Sequence, residues 1–220
     1  MKPDPKTDAA GVMALALNLI PAAIVLLAFV SGVYPGTAKS AESIAPDTMV
    51  KTTVNEVLEV IRHSKDKRAL RQLAEQKVLP KFDFKEMTRL AVGPAWKNAN
   101  PAQQQSLENG FRTLLVNTYT SALSSKSSGD SSVEVKPAQA PSNQGEVTVR
   151  TVVRQGGRPP LPIDYRMNSA QDGWKVFDVL VDGISLVTNY RGEFAEEVRK
   201  SGIDGLIRAL DSKNQRSAAG

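Results

Sequence analysis

Two periodicities divide the chain. Between residues 47 and 123 apolar side chains recur at three- and four-residue spacing, and between 147 and 181 they alternate with polar ones. Pro46-Asp47 opens a first helix, with Asp47 as N-cap and Val50, Val54, Val57, Leu58 and Ile61 on its apolar side. A second helix fits 66–79, burying Leu70, Leu73 and Val78 before Pro80 stops it. Phe82-Asp83-Phe84 leads into a short helix carrying Met87 and Leu90, which Gly93-Pro94 ends. Asn100-Pro101 joins an N-cap residue to a proline in the first turn. The helix it starts runs to about Leu123, with a stripe of Leu107, Phe111, Leu114, Leu115, Thr118 and Ala122.

Residues 124–146 are rich in serine, proline, glutamine and glycine, interrupted by Val133-Glu134-Val135; they read as loop, brief edge strand and loop. Three strands follow. Val147, Val149, Thr151 and Val153 alternate with Thr148, Arg150, Val152 and Arg154; Leu161, Ile163, Tyr165 and Met167 alternate with Pro162, Asp164, Arg166 and Asn168. Gly156-Gly157-Arg158-Pro159-Pro160 supplies hairpin chemistry between them, and Gln171-Asp172-Gly173 a second turn. The third strand, 174–181, is apolar on both sides. Strict alternation puts Trp174, Val176 and Leu180 on one face and Phe177, Val179 and Val181 on the other, the pattern of a central strand. Asp182-Gly183 then starts a helix through Ile184, Val187, Phe194 and Val198, and a last short helix holds Ile203, Leu206, Ile207 and Leu210. Helices, then an antiparallel sheet, then helices make an α+β fold: a curled sheet with helices packed across it, an arrangement able to close around an apolar cavity.

The N-terminus reads as a targeting segment. Lys2 and Lys6 precede an apolar stretch over 12–33, and Tyr34-Pro35-Gly36-Thr37-Ala38 ends it with small residues before a cut after Ala38. Residues 1–38 are thus expected to be a secretory signal peptide, 39–46 a linker, 47–212 the folded domain and 213–220 a flexible tail. The apolar span is also long enough for a membrane helix, so an uncleaved anchor is the alternative. Loss of 1–38 leaves the net charge of +5 unchanged, because the segment carries two lysines and two aspartates. The charges are dispersed, which argues against a nucleic-acid stripe.

Catalytic chemistry is sparse. There is no cysteine, so disulfides, thiolate nucleophiles and cysteine metal sites are excluded. The one histidine, His63, sits at a helix end among Arg62, Lys65 and Lys67 and reads as a solvated residue. Gly156-Gly157 has no helix behind it to hold a phosphate. Asp178, Tyr165 and Tyr190 are the groups from which an enzyme reading would have to draw a Tyr-Asp pair; for Asp178 the plain alternative is hydrogen bonding to backbone or to an arginine. Neither a metal nor a cofactor is expected, and the chain reads as a non-enzyme.

Several segments in shared order resemble the MlaC phospholipid-binding proteins, also called the toluene-tolerance family. They are Phe82-Asp83-Phe84, Trp96-Lys97, Pro101-Ala102-Gln103-Gln104, Phe111-Arg112-Thr113-Leu114-Leu115, Gly173-Trp174-Lys175-Val176-Phe177-Asp178-Val179, Asp182-Gly183-Ile184-Ser185-Leu186-Val187, Asn189-Tyr190-Arg191 and Gly202-Ile203-Asp204-Gly205-Leu206. The serine-rich stretch 124–132 departs from the pattern, since relatives usually place an aromatic there. The resemblance implies a cone-like sheet with helices, similar to nuclear transport factor folds, around an apolar cavity. It also implies a periplasmic phospholipid carrier that serves as an auxiliary component of an inner-membrane ABC transporter with an MCE-domain ring. The other partner it implies is an outer-membrane lipoprotein complex, and the role is maintenance of outer-membrane lipid asymmetry. An exported carrier of another lipid, such as a hopanoid, is the alternative.

A carrier of this kind must hide both acyl tails. The expected lining draws on Met87 and Trp96; on Phe111, Leu115 and Tyr119 of the long helix; on Val149, Ile163, Tyr165, Val176, Val179 and Val181 of the sheet; and on Ile184, Val187 and Tyr190. The headgroup is expected near the mouth, loosely held.

Overall fold

The computed structural model describes residues 44–63, 72–125, 131–138, 145–155 and 157–219, with the side chains of 61–63, 119–125 and 218–219 outside that description. The signal peptide with its cut after Ala38, most of the linker, Leu70 and the side chain of His63 therefore lie outside the described residues. The described residues form two compact units, one drawn from 44–83 and 131–183, the other from 84–125 and 184–219.

The first unit is built on the strands. β1 (Ser131–Val135), β2 (Glu146–Gln155), β3 (Leu161–Ala170) and β4 (Gly173–Val181) each pair antiparallel with the strand before. These four strands follow in chain order, and the two-residue β5 (Ile184–Ser185), whose residues open the last segment of the second unit, comes next in the strand order β1-β2-β3-β4-β5. The alternation read from the sequence is realised in the register: Val147, Val149, Thr151 and Val153 lie opposite Met167, Tyr165, Ile163 and Leu161. All but half-buried Leu161 are buried, while Arg150 and Arg154 on the other face are exposed. Helix α1 (Pro46–His63) packs on β1 and β2 and buries Met49, Val50, Val54, Val57 and Leu58. Asp47 stands inside its first turn rather than at the N-cap; its carboxylate accepts the Thr48 N–H at 2.9 Å and the Ala138 N–H at 3.4 Å. The segment expected to complete a second α-helix widens into a π-helical turn (Ala74–Val78) and then tightens into a 3-10 turn (Leu79–Lys81) around Pro80.

β4 departs from strict alternation. Arg166 pairs with Asp178 but Met167 pairs with Val176, so Phe177 is an extra residue, a β-bulge. One inserted residue reverses the facing of everything on one side of it. Val176, Val179 and Val181 consequently share the face of Met167, Tyr165 and Ile163, and Phe177 turns to the opposite side. β4 is covered on both faces, as its sequence suggests, with Val176 and Val179 buried on one and Phe177 and Asp178 on the other; it lies between β3 and the short β5, and Phe82 also bridges to Val176, with the Asp83 N–H donating to the Val176 carbonyl at 2.9 Å. Its second apolar face is carried by the bulged Phe177 together with Leu180, which pairs with Asp164.

Asp182-Gly183 is a second departure. Both residues have positive φ, 51° and 78°, so the pair forms a primed turn into β5 instead of starting a helix.

The second unit contains α2 (Phe84–Val92), a 3-10 turn (Gly93–Asn98), α3 (Pro101–Ser125) and α4 (Leu186–Ala219). α2 stops at Gly93, whose φ of +67° disfavours any other residue. α3 opens with reciprocal capping: the Gln103 N–H donates to Asn100 Oδ1 at 2.9 Å and the Asn100 N–H to Gln103 Oε1 at 3.0 Å. α4 starts after Ser185, whose Oγ accepts the Thr188 N–H at 3.0 Å. The two C-terminal helices expected from the sequence are the two arms of α4, divided at Gly202 (φ 72°, ψ −176°). Residues 213–219, read above as a tail, continue the second arm; Lys213 pairs with Glu193 of the first arm, and Asn214 Nδ2 donates to the Gly110 carbonyl of α3 at 2.9 Å.

The kink leaves no room for a side chain at residue 205, where an added Cβ would lie 2.1 Å from the Ser201 Cβ. Gly205→Ala is expected to cost about 1–3 kcal/mol through this overpacking, read as a lower urea midpoint, and adding Ser201→Gly should restore part of it. An unchanged midpoint in Gly205→Ala would rule out the clash.

Candidate functional site

The residues expected to line a binding surface fall into both units. In the first unit Val149, Ile163, Tyr165, Val176, Val179 and Val181 occupy a single sheet face, all buried. Direct cross-strand pairing brings them into rows: Val149 with Tyr165 and Tyr165 with Val179, then Ile163 with Val181. Met167, Val147 and Thr151 belong to the same face and were left out of the expected lining, although the parity of their positions in the two strands already placed them there. The polar groups on this face are satisfied internally. Thr151 Oγ1 donates to the Ile163 carbonyl at 2.7 Å and is hydrogen-bonded with the Tyr165 side chain. Burial pushes the Tyr165 phenol well above its ordinary range, against a smaller opposing effect of the Thr151 bond, so the hydroxyl stays neutral at physiological pH. A face of this composition suits apolar contact.

The opposite face carries the charge. Arg166 lies 3.3 Å from Glu146 and 3.7 Å from buried Asp178, with its guanidinium 4.8 Å from the centre of the Phe177 ring. Arg154 pairs with Glu134 at 3.3 Å. Asp178 thus has an arginine partner, as the plain reading anticipates, and it lies on the other side of the sheet from Tyr165. Those two residues do not form the pair that an enzyme reading would draw from them.

In the second unit Met87, Trp96, Phe111, Leu115, Val187 and Tyr190 are buried. Phe111 and Tyr190 meet with Phe194 in a cluster of three rings, edge-to-face at 5.1 Å (Phe111–Tyr190) and 5.2 Å (Phe111–Phe194), and tilted at 5.6 Å (Tyr190–Phe194). Phe194 was assigned only a place on a helix; its spacing of four from Tyr190 carried the signal. Ile184 differs from the rest, being 47% exposed on β5. Tyr119 falls within α3, and its side chain lies outside the described residues. Gly110 permits close helix packing: a Cβ there would stand 3.1 Å from the Leu210 Cβ. Arg191 Nε donates to the Leu90 carbonyl at 2.9 Å, placing a cation at the C-terminal end of α2.

Among the described residues no group of three or more His, Cys, Asp or Glu side chains could hold a metal ion, and no helix is long and apolar enough to cross a membrane.

Comparison with known proteins places this arrangement. A phospholipid-binding protein from Ralstonia solanacearum, solved in complex with a phospholipid, superposes with a TM-score of 0.71 at 35% identity, covering 80% of this chain and 99% of that one. The intermembrane phospholipid transport system binding protein MlaC of Haemophilus influenzae is 22% identical over 200 residues, 88% of this chain and 92% of its own. The toluene tolerance protein ttg2D of Pseudomonas putida is 27% identical over 115 residues; the match spans 52% of this chain and about half, 52%, of that protein's length. The profile described as MlaC protein matches residues 51–212, most of the chain. By that extent of match, the chain belongs to the MlaC protein family.

Proposed function

We propose that this chain is a soluble periplasmic phospholipid carrier. It shelters acyl tails against the apolar face of its sheet and moves lipid between an inner-membrane ABC transporter with an MCE-domain ring and an outer-membrane lipoprotein complex, so maintaining outer-membrane asymmetry. The observation that supports this most directly is the likeness to the Ralstonia protein, which holds a phospholipid and matches 80% of this chain at 35% identity. The proposed tail-contacting residues of the sheet are Val149, Ile163, Tyr165, Val176, Val179 and Val181. Export would follow from a leader over 1–38, cut after Ala38.

Free-energy arithmetic explains why such a carrier needs no catalytic group. Two acyl tails carry on the order of 30 methylenes at about 0.8 kcal/mol each, so exposing them costs roughly 24 kcal/mol. A membrane offers equal shelter. The carrier therefore only has to match the bilayer, and small preferences at a docking partner then direct transfer.

Mass spectrometry of organic extracts from the purified exported protein tests the reading. The expected result is two-tailed phospholipid at close to one per chain. A hopanoid in its place would move the assignment to another lipid, and extracts without lipid, together with no uptake from phospholipid vesicles, would remove the carrier function.

A further inference from the structure

The bulge in β4 decides which side chains make up the apolar face. With Arg166 opposite Asp178, a regular strand would set Phe177 opposite Met167 and Val176 opposite Asn168; in the structure Val176 takes the place beside Met167 and Phe177 lies on the other side. A regular register is within reach of this sequence. The extra residue would move into the β3–β4 turn, now Gln171-Asp172 closed by Ala170 opposite Gly173, and make it a three-residue loop ending on Gly173. Gly173 already has φ of +111°, on the side of the map that such a loop requires of its last residue. That slip would bring the Phe177 ring and the Lys175 ammonium onto the apolar face and turn Val176 and Trp174 away from it.

Three contacts oppose the slip. The Arg166 guanidinium stacks on Phe177 at 4.8 Å. Lys175 Nζ donates to the Pro80 carbonyl and to Asp172, both at 2.6 Å. The Val176 carbonyl accepts the Asp83 N–H at 2.9 Å. Only the first grips the extra residue itself, and its guanidinium is also drawn to buried Asp178, one residue beyond the bulge.

We propose that Phe177 is a register spacer and Arg166 the positioning residue that holds it out, so that together they keep an aromatic ring and a lysine off the lipid-contacting face and thereby determine whether that face accepts acyl tails. This rests on the carrier reading above. Neither residue touches the lipid; both act through the placement of Val176.

The test uses the full chain and the phospholipid it carries from its expression host, counted by mass spectrometry, with circular dichroism as a check of folding. On folded samples Val176→Asp is expected to lose its lipid, whereas Phe177→Asp, as buried at 2% exposure but with Arg166 beside it to replace the ring contact by an ion pair, keeps most of its lipid. Arg166→Ala is expected to lower loading about fivefold, the factor that corresponds to a cation–π contact at a partly exposed site. Deleting Phe177 in the Arg166→Ala chain restores it, since the shortened strand has no residue left to misplace. Equal loss in Val176→Asp and Phe177→Asp, wild-type loading in Arg166→Ala, or no recovery on deleting Phe177 overturns the proposal while the carrier reading stands. Absence of lipid from the wild type overturns both. Should Arg166→Ala fail to fold, the comparison of Val176→Asp with Phe177→Asp decides alone.

Discussion

Replacing Val179 by aspartate is expected to empty the protein of phospholipid. Val179 is 6% exposed and lies directly opposite Tyr165, which lies directly opposite Val149, so it sits within an unbroken apolar row. A carboxylate there has no cation on its own face among the described strand residues, because Arg166 and its neighbours project from the other side of the sheet. It must either ionise without a partner or take up a proton, and burial of this kind raises a carboxyl by about 3–5 pH units. At roughly 1.4 kcal/mol per unit, and with protonation capping the cost once the pKa passes about 7, that is a penalty of about 4 kcal/mol at neutral pH. An acyl chain against the same spot would prevent water from relieving it, so loading falls further than stability. The matched control is Val152→Asp, on the charged face opposite Glu134 and Pro162, which should fold and keep its lipid. Lipid counts on folded samples read the difference. Undiminished lipid in folded Val179→Asp would exclude this residue from the contact surface.

The second large effect is on the helical unit. Phe111 is fully buried, and its ring meets both Tyr190 and Phe194 edge-on. Phe111→Ala removes that volume from between two helices, α3 and α4. Truncation of a buried phenylalanine costs about 3–5 kcal/mol, including the edge-to-face contacts worth about 0.5–1.5 kcal/mol each. Against a total stability on the order of 5–15 kcal/mol, this is a large share. The expected result is a urea midpoint lowered well outside error, with Phe111→Leu recovering most of the loss. Phe111→Ala combined with Phe194→Ala should cost less than the two single losses added, since the first truncation already breaks the shared contact. Additive losses would show that the rings are not energetically coupled.

Much of the architecture was legible because it is written in short-range patterns. The alternation over 147–154 and 161–168 needs only a pleated backbone and one dry face, and the register of β2 on β3 follows it residue by residue. Asn100, Pro101 and Gln103 carry their capping chemistry within four residues, so the start of α3 could be read locally. The run Ile203, Leu206, Ile207, Leu210 announced the second arm of α4, which the structure sets off from the first at Gly202. The failures fall where a local signal was overruled or shared. Asp182-Gly183 suits a helix start and a primed turn equally, and the adjoining strand chose the turn through the Asp182 N–H bonded to the Pro162 carbonyl at 3.0 Å. The polar ends of 213–219 looked like a tail because the carbonyl of Gly110, which holds Asn214, is more than a hundred positions away.

What the chain alone determined is therefore the inventory: which segments are helical, which alternate, and that the sheet is dry on one side, since these depend on intervals of two, three and four residues. What only the tertiary structure decided is the composition of that dry side. Alternation within β4 predicts Val176 and Val179 on opposite faces, and they share one because Arg166 on the neighbouring strand, with Pro80 and Asp83 from a distant turn, favours a bulge at Phe177. The facing of a strand reverses with a single residue, and where that residue is accommodated is set by contacts that no local interval encodes.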